Sequence, residues 1–293
     1  MANMKEIQLR IKSIKDIMKI TNAMYLISSS KLKKARKSLE ATAPYFTKMQ
    51  TTIHDILILA PHMSQVFFAR REDIKPEDRK KGYIIFTADK GMAGAYNHNV
   101  IRKAEEEMAN SKNNRLFVVG QVGRRYFKRK GANVDEDFTY TSQNPVMYRA
   151  RNISADIIEL FQNGELDDVY VIYTEMITSM RSEVKMIQLL PLQRKKFEKI
   201  EVDGNHYKNA AFLPSPESVM DNIVPNYITG LLFGILVESF SSEQNARMTA
   251  MDAATTSAGD MLKDLDLLYN RARQSAITQE ITEIVSGANG LKK

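Results

Sequence analysis

Cysteine is absent from the 293 residues. Disulfides, thiol catalysis and cysteine-based metal sites are therefore excluded. Histidine is scarce. The four residues His54, His62, His98 and His206 are scattered, and no two sit at helix-face spacing, so no metal site and no cofactor are expected. Long hydrophobic runs are missing too. The most apolar stretch, Gly230 to Val237, is far too short to cross a bilayer. The N-terminus lacks the apolar core of a secretion signal, because Lys5, Glu6, Arg10, Lys12, Lys15 and Asp16 interrupt it. A soluble, non-exported chain is expected. Proline is nearly absent from the C-terminal quarter: beyond Pro216, only Pro225 interrupts the run to Gly287.

What is present is a seam. Steps of three and four residues from Met4 meet Ile7, Ile11, Ile14, Met18, Thr21, Tyr25, Ser28, Leu32, Ala35, Leu39, Thr42, Phe46, Met49, Ile53 and Ile56. A heptad held this long predicts a helix of about 55 residues, or about 80 Å, that needs a partner helix. Pro44 permits a kink near Ala43, and the helix should stop before Pro61. The partner is the other end of the chain. Met248, Met251, Thr255, Ala258, Leu262, Leu265, Tyr269, Ala272 and Ala276 repeat the pattern. Ser215 followed by Pro216 is a strong helix start. This second helix is predicted to run to about Ser286, or roughly 100 Å.

Counting from the helix ends near Leu57 and Glu217 places Met4 opposite roughly Asn270 in an antiparallel pair. Arg271 to Ser286 should then project without a partner, exposing Ile277, Ile281, Ile284 and Val285. A lone helix of that length is marginal in water, so the overhang calls for a sleeve.

The 42 Lys and Arg outnumber the 35 Asp and Glu, a net charge of +7. Part of that excess lies on the first helix, in Lys5 to Lys19 and again in Lys31, Lys33, Lys34, Arg36 and Lys37. Two readings stand: a solvated face, or a basic collar for an acidic partner. Nucleic acid is not expected, since no aromatic or Asn/Gln residues interleave with the Lys31–Lys37 cluster.

Between the helices the period changes. Strands are expected at Tyr83–Phe86, Leu116–Val119, Val169–Tyr173 and Val184–Leu190, with a weak one near Phe138. Helices are expected over about Asn97–Ala109, Gln121–Lys130 and Val146–Phe161. Strands alternating with helices predict a Rossmann-like α/β domain with a mainly parallel sheet. The last two strands should form an antiparallel hairpin. The fold class is thus mixed α+β and α/β: a long antiparallel coiled coil of the terminal helices with a central α/β domain. The expected division is a coiled-coil helix at 1–60, a linker at 61–81, the α/β domain at 82–191, an irregular connection at 192–214 and a coiled-coil helix with projecting tip at 215–293.

Two glycine turns follow strands, Asp89-Lys90-Gly91-Met92-Ala93-Gly94 and Gly120-Gln121-Val122-Gly123. Neither has the spacing of a dinucleotide or phosphate loop, and no acid follows at the ribose position. They read as tight strand-to-helix turns. No carboxylate pair or Ser/His/Asp set is tied to one site, so no catalytic residues are expected.

The sequence resembles the γ subunit family of F-type ATP synthase, bacterial type. The resemblance rests on Ile277-Thr278-Gln279-Glu280-Ile281-Thr282-Glu283-Ile284-Val285-Ser286-Gly287-Ala288. It also rests on Ser242 to Met251, Tyr269 to Gln274, Lys19-Ile20-Thr21 with Ala23-Met24, Ser30-Lys31-Leu32 and Asp89 to Gly94. It departs at Tyr25, where the family usually has a base, at Ala93, where many members have cysteine, and at Gly290. The resemblance implies a non-catalytic rotor shaft that couples rotation of a membrane c-ring to the cycling of catalytic β subunits. It implies as partners a ring of alternating α and β subunits, the ε subunit and the c-ring. Membrane association would be indirect, at the cytoplasmic face of a bacterial membrane. Arg273, Gln274, Thr278, Glu280 and Glu283 would meet a β-subunit catch loop. Met24 and Arg247 would lie near the moving β lever, and Lys31, Lys33, Lys34 and Arg36 would face its acidic tip. On the residues alone two other classes stay open: a flagellin-like filament subunit, and a nucleotide-binding enzyme with helical arms.

Overall fold

The computed structural model describes residues 4–63, 65–69, 74–75, 77–109, 113–178, 181–198 and 212–290, with side chains to 287. The chain divides into two compact units, one of Met1–Ser28 with Arg247–Lys293 and one of Ser29–Ala246. Two long helices, α1 (Met4–Leu59) and α6 (Pro216–Gly290), contribute to both. Helix α1 runs on through Pro44 and ends two residues before Pro61. The start of α6 is capped as expected, with Ser218 N donating to Ser215 Oγ at 3.2 Å.

In the terminal unit the two helices form an antiparallel coiled coil. Ile7, Ile14, Thr21 and Ser28 are buried on α1, and Met251 and Ala258 on α6. The other seam residues are half-buried, including Ile11, Met18, Met248, Leu262, Leu265 and Tyr269. Two hydrogen bonds fix the register. Thr21 Oγ1 lies 2.7 Å from Thr255 Oγ1, and Gln8 Nε2 donates to Tyr269 Oη at 2.8 Å. These pairs place Met4 opposite Ala272 or Arg273, two to three residues beyond the position counted from the helix ends. Side-chain pairs set a register, whereas helix ends do so only loosely. Ala276 is half-buried, and every residue from Ile277 to Gly287 is exposed.

The central unit is built on a four-stranded sheet of order β2-β1-β3-β4. Strands β1 (Lys81–Phe86), β2 (Asn114–Val119) and β3 (Asp168–Met176) are parallel, and β4 (Ser182–Leu190) returns antiparallel to β3. Alternation along β1 explains the layers. Tyr83 and Ile85 face the helices α2 (Tyr96–Met108) and α3 (Gln121–Arg129). Ile84 and Phe86 face α4 (Met147–Gln162) together with α1 and α6. Ile53 and Ile56 of α1 and Leu232, Phe233 and Leu236 of α6 are fully buried or nearly so in this larger core. By length and composition α6 could cross a membrane, but most of its most apolar window is packed inside the molecule. It is a core helix there.

Three expectations need correction. No strand forms at Phe138. Val134 makes a single bridge to Leu116, and Asp135 Oδ1 then accepts from the amides of Asp137 (3.1 Å) and Phe138 (3.0 Å). This local turn competes with extended pairing and drops Phe138 onto Phe117, with ring centroids 5.3 Å apart. Residues 61–81 are not simply a polar linker. Met63 and Phe67 are buried, and Arg79 is paired in the interior with Asp168 at 3.2 Å. Residues 64, 70–73 and 76 of that stretch lie outside the described residues. Residues 192–214 are not wholly irregular, because a short helix α5 (Arg194–Glu198) buries Phe197. Residues 199–211 lie outside the described residues.

Candidate functional site

The glycine turn after β1 is where phosphate chemistry would be sought. Met92 and Gly94 both take positive φ, 60° and 53°, and α2 begins directly after. The turn is closed on its own chain. Asp89 Oδ1 accepts from Gln121 N at 3.1 Å, the first amide of α3. Asp89 Oδ2 accepts from Ser142 N (3.1 Å), Gln143 N (3.2 Å) and the Thr141 hydroxyl. These are the kind of donors a phosphate would require, and a carboxylate already holds them. The second turn is a packing device. Gly120 has φ 93°, and a Cβ there would stand 2.1 Å from Thr87 O. Among the described residues no group of three or more His, Asp or Glu side chains is placed to hold a metal ion.

The candidate contact residues lie elsewhere. Arg273, Gln274, Thr278, Glu280 and Glu283 are all exposed on the unpartnered end of α6. At about 100° per residue, Arg273, Glu280 and Glu283 lie on one flank and Gln274 and Thr278 on the other. Ile277, Ile281 and Ile284 run between the flanks and are 47%, 55% and 71% exposed. Thr278 Oγ1 donates to Gln274 O at 2.9 Å, and Gln279 Nε2 donates to Glu283 Oε1 at 3.0 Å. These bonds stay within the helix and leave the surface open.

Of the other candidates, Met24 and Arg247 belong to the terminal unit and Lys31, Lys33, Lys34 and Arg36 to the central unit. Met24 is half-buried and Arg247 is buried, so Arg247 offers little surface to a partner. Lys31, Lys33, Lys34 and Arg36 are exposed on α1 in the central unit. Helical geometry sends Lys31 and Lys34 to one side and Lys33 and Arg36 to another. Lys31 Nζ donates to Gln143 Oε1 at 3.4 Å, and Arg36 Nη2 lies 3.5 Å from Met176 Sδ. Lys31 and Lys34 rim a cavity floored by Ala35, Pro145, Val146 and Phe240. Arg149, which braces the adjoining loop by donating to Asn144 O at 3.0 Å, is pulled below the usual guanidinium range by burial, with Asp89 opposing.

Helix α1 carries further exposed aliphatic residues outside the seam. Leu9, Ile20 and Ile27 are exposed on α1 on a face turned away from the seam, and Ile17 is exposed beside the seam. The sequence carried the signal, in aliphatic residues at roughly helical spacing outside the a and d positions. They are spaced at intervals of eight, three and seven residues along the coiled coil.

Comparison with known proteins finds relatives over the length of the chain. A family model described as ATP synthase matches residues 3–291. The ATP synthase gamma chain of Acetivibrio thermocellus is 48% identical, with all of both chains covered. That of Ruminiclostridium cellulolyticum is 46% identical over 99% of each chain. The sodium-ion-specific gamma chain of Acetobacterium woodii is 37% identical, again over 99% of each. Among solved structures, the fold is like that of a chain in the central stalk and c-ring of the Tetrahymena thermophila mitochondrial ATP synthase. The TM-score is 0.54 at 24% identity, over 80% of this chain and 99% of that one. A chain of the Euglena gracilis mitochondrial enzyme gives 0.56 at 16% identity, over 92% and 95%.

Proposed function

We infer the mechanism from one premise: the chain belongs to the ATP synthase gamma chain family. It serves in the central stalk of an ATP synthase, a rotary, ion-translocating complex. The finer reading is that the chain is a shaft and does no bond chemistry itself. The coiled coil of the terminal unit turns inside a ring of alternating α and β subunits. The central unit, as the foot, meets the ε subunit and the c-ring at the cytoplasmic face of a bacterial membrane. Ion flow turns the foot, and the asymmetric shaft drives each β subunit in turn through states of different nucleotide affinity. A rotor can do that only through contacts that differ between those states.

The observation that carries this reading is the apolar surface of the terminal unit. Leu9, Ile17, Ile20 and Ile27 along α1, and Ile277, Ile281 and Ile284 at the tip, stay exposed in the chain alone. A sleeve of partner subunits would cover both sets, and smooth apolar contact is what a turning bearing needs, since it lacks direction. Arg273 and Gln274 beside the tip stripe supply the directional contacts of a catch, with Thr278, Glu280 and Glu283. Met24 serves the β lever, and Lys31, Lys33, Lys34 and Arg36 face its acidic segment.

The test is reconstitution. The isolated chain should hydrolyse no ATP, while its addition to an α/β ring lacking a stalk should change that ring's turnover. Replacing Arg273 and Gln274 together by Ala should leave the chain folded, because exposed helix positions contribute little to stability, and should weaken coupled synthesis. Intrinsic ATP turnover that survives purification, or a ring indifferent to the chain, would overturn the reading.

A further inference from the structure

The central sheet has the layout that in other open α/β domains holds a ligand. With strand order β2-β1-β3, the order reverses at β1, and ligands bind in the crevice outside the C-terminal ends of such strands. In this chain α6 lies in that crevice. At the end of β3, Met176 N donates to Glu238 Oε1 at 2.8 Å, and Ser242 Oγ donates to Thr174 O at 3.1 Å. Beyond β1, Ala246 packs on Ala88 and Ala93. At the start of α2, the Tyr96 hydroxyl donates to Ser239 Oγ at 3.4 Å. The Asp89 hub reaches the same helix. Ser142 Oγ accepts from Asp89 N at 3.1 Å and shares its one proton between Asp89 Oδ2 at 3.3 Å and Glu243 Oε2 at 3.4 Å.

The composition of this stretch of α6 is unusual for a core helix. Ser239, Ser241, Ser242, Glu243 and Gln244 are all buried, Ser242 and Glu243 completely. Burying polar groups is costly unless they are bonded, so a helix that needed only to fill space would carry aliphatic residues there. Apolar packing resists rotation of a helix through the interlocking of side chains alone. Buried hydrogen bonds add a directional constraint, because a rotation would strand a donor or acceptor.

We propose that residues 238–246 of α6 act as a built-in ligand of the α/β domain's crevice, and that the contacts of Glu238, Ser242 and Glu243 there form the joint carrying torque from the domain into the helix. The proposal rests on the shaft reading above. It also accounts for the glycine turn: the domain keeps the nucleotide-binding layout, but the chain itself occupies the crevice, and Asp89 holds the amides. Glu238, Ser142 and Ser242 are positioning residues, since they act through the helix and touch no substrate.

The experiment uses the assembled complex in vesicles, with Ser242→Ala, Ser142→Ala, Glu238→Ala and Glu238→Gln. Ion-driven ATP synthesis is compared with ATP hydrolysis by the detached ring and stalk, and torsional stiffness is read from a bead fixed to the α/β domain. The expected result is a several-fold fall in the synthesis-to-hydrolysis ratio and a softer stalk for the alanine variants, with hydrolysis by the detached complex retained. Glu238→Gln keeps an acceptor for Met176 N and should retain the wild-type ratio. Equal losses of synthesis and hydrolysis, or unchanged stiffness, would overturn the joint and leave the contacts as folding contacts only. If Glu238→Ala fails to assemble, the two serine variants, which lose one hydroxyl each, decide the matter. A wild-type chain that cannot restore synthesis to a stalkless complex counts against the shaft reading instead.

Discussion

Gly230 of α6 and the ring of Phe46 of α1 are so close that a Cβ on the glycine would stand 1.8 Å from the ring. The aromatic ring lies against bare backbone. Gly234, one turn further on, faces Leu39, where a Cβ would make an ordinary contact at 4.0 Å. Two glycines at i and i+4 therefore behave oppositely.

Gly230→Ala should destabilise the chain by about 1–3 kcal/mol through overpacking, and Phe46→Leu in the same chain should recover part of the loss. Gly234→Ala should be neutral or stabilising by up to about 1 kcal/mol, since alanine is the better helix former. Denaturant midpoints of the three variants check this. Equal effects at the two glycines would refute it.

The Thr21–Thr255 bond in the terminal seam should act mainly on register. Each hydroxyl has a second partner in its own helix, Met18 O for Thr21 at 3.1 Å and Met251 O for Thr255 at 2.9 Å. Valine at either position should therefore cost only roughly 1 kcal/mol or less, and the double variant less than the two costs combined. A double-mutant cycle measures the coupling, and strict additivity would mean that the bond across the seam contributes nothing.

Amide hydrogen exchange should divide α6. Residues up to about Ala276 have α1 beside them, while Ile277 to Gly287 are exposed. In the isolated chain, exchange should be fast beyond Ile277, because a short unpartnered helix is marginal in water. In the assembled complex it should slow. Uniform protection along α6 in the isolated chain would exclude a free tip.

Stability should fall at alkaline pH through Tyr83. This residue is 3% exposed and stacked on Tyr170 at 5.5 Å, and burial, then the neighbouring Tyr170, pushes its pKa up to about 12. The folded state holds the phenolic proton more tightly than the unfolded state, whose tyrosine titrates near 10. The stabilisation is therefore complete below about pH 10 and is lost as pH rises towards 12. Tyr83→Phe should flatten that part of the stability profile, and an unchanged slope between pH 9 and 11.5 would assign it to other groups.

Much of the fold is written locally. The heptad seam from Met4 to Ile56 is a property of side-chain spacing, and every one of its residues is buried or half-buried. The four strands show in runs such as Tyr83–Phe86, because a strand buried on both faces must be apolar throughout. The exposed tip with Arg273 and Gln274 also follows from spacing and from running out of a partner helix. What the sequence alone could not determine is which polar residues are interior. Ser239 to Gln244 resemble a solvated helix face, and Arg79 resembles linker. The first are buried by strand ends and loops 60 to 150 residues earlier in the chain, and the second by Asp168. The Lys31–Arg36 cluster reads as one basic patch, yet helical geometry splits it. Periodicity records which face of an element is turned inward. Whether a serine or a carboxylate on that face is satisfied depends on partners from distant segments, and only the tertiary structure supplies them.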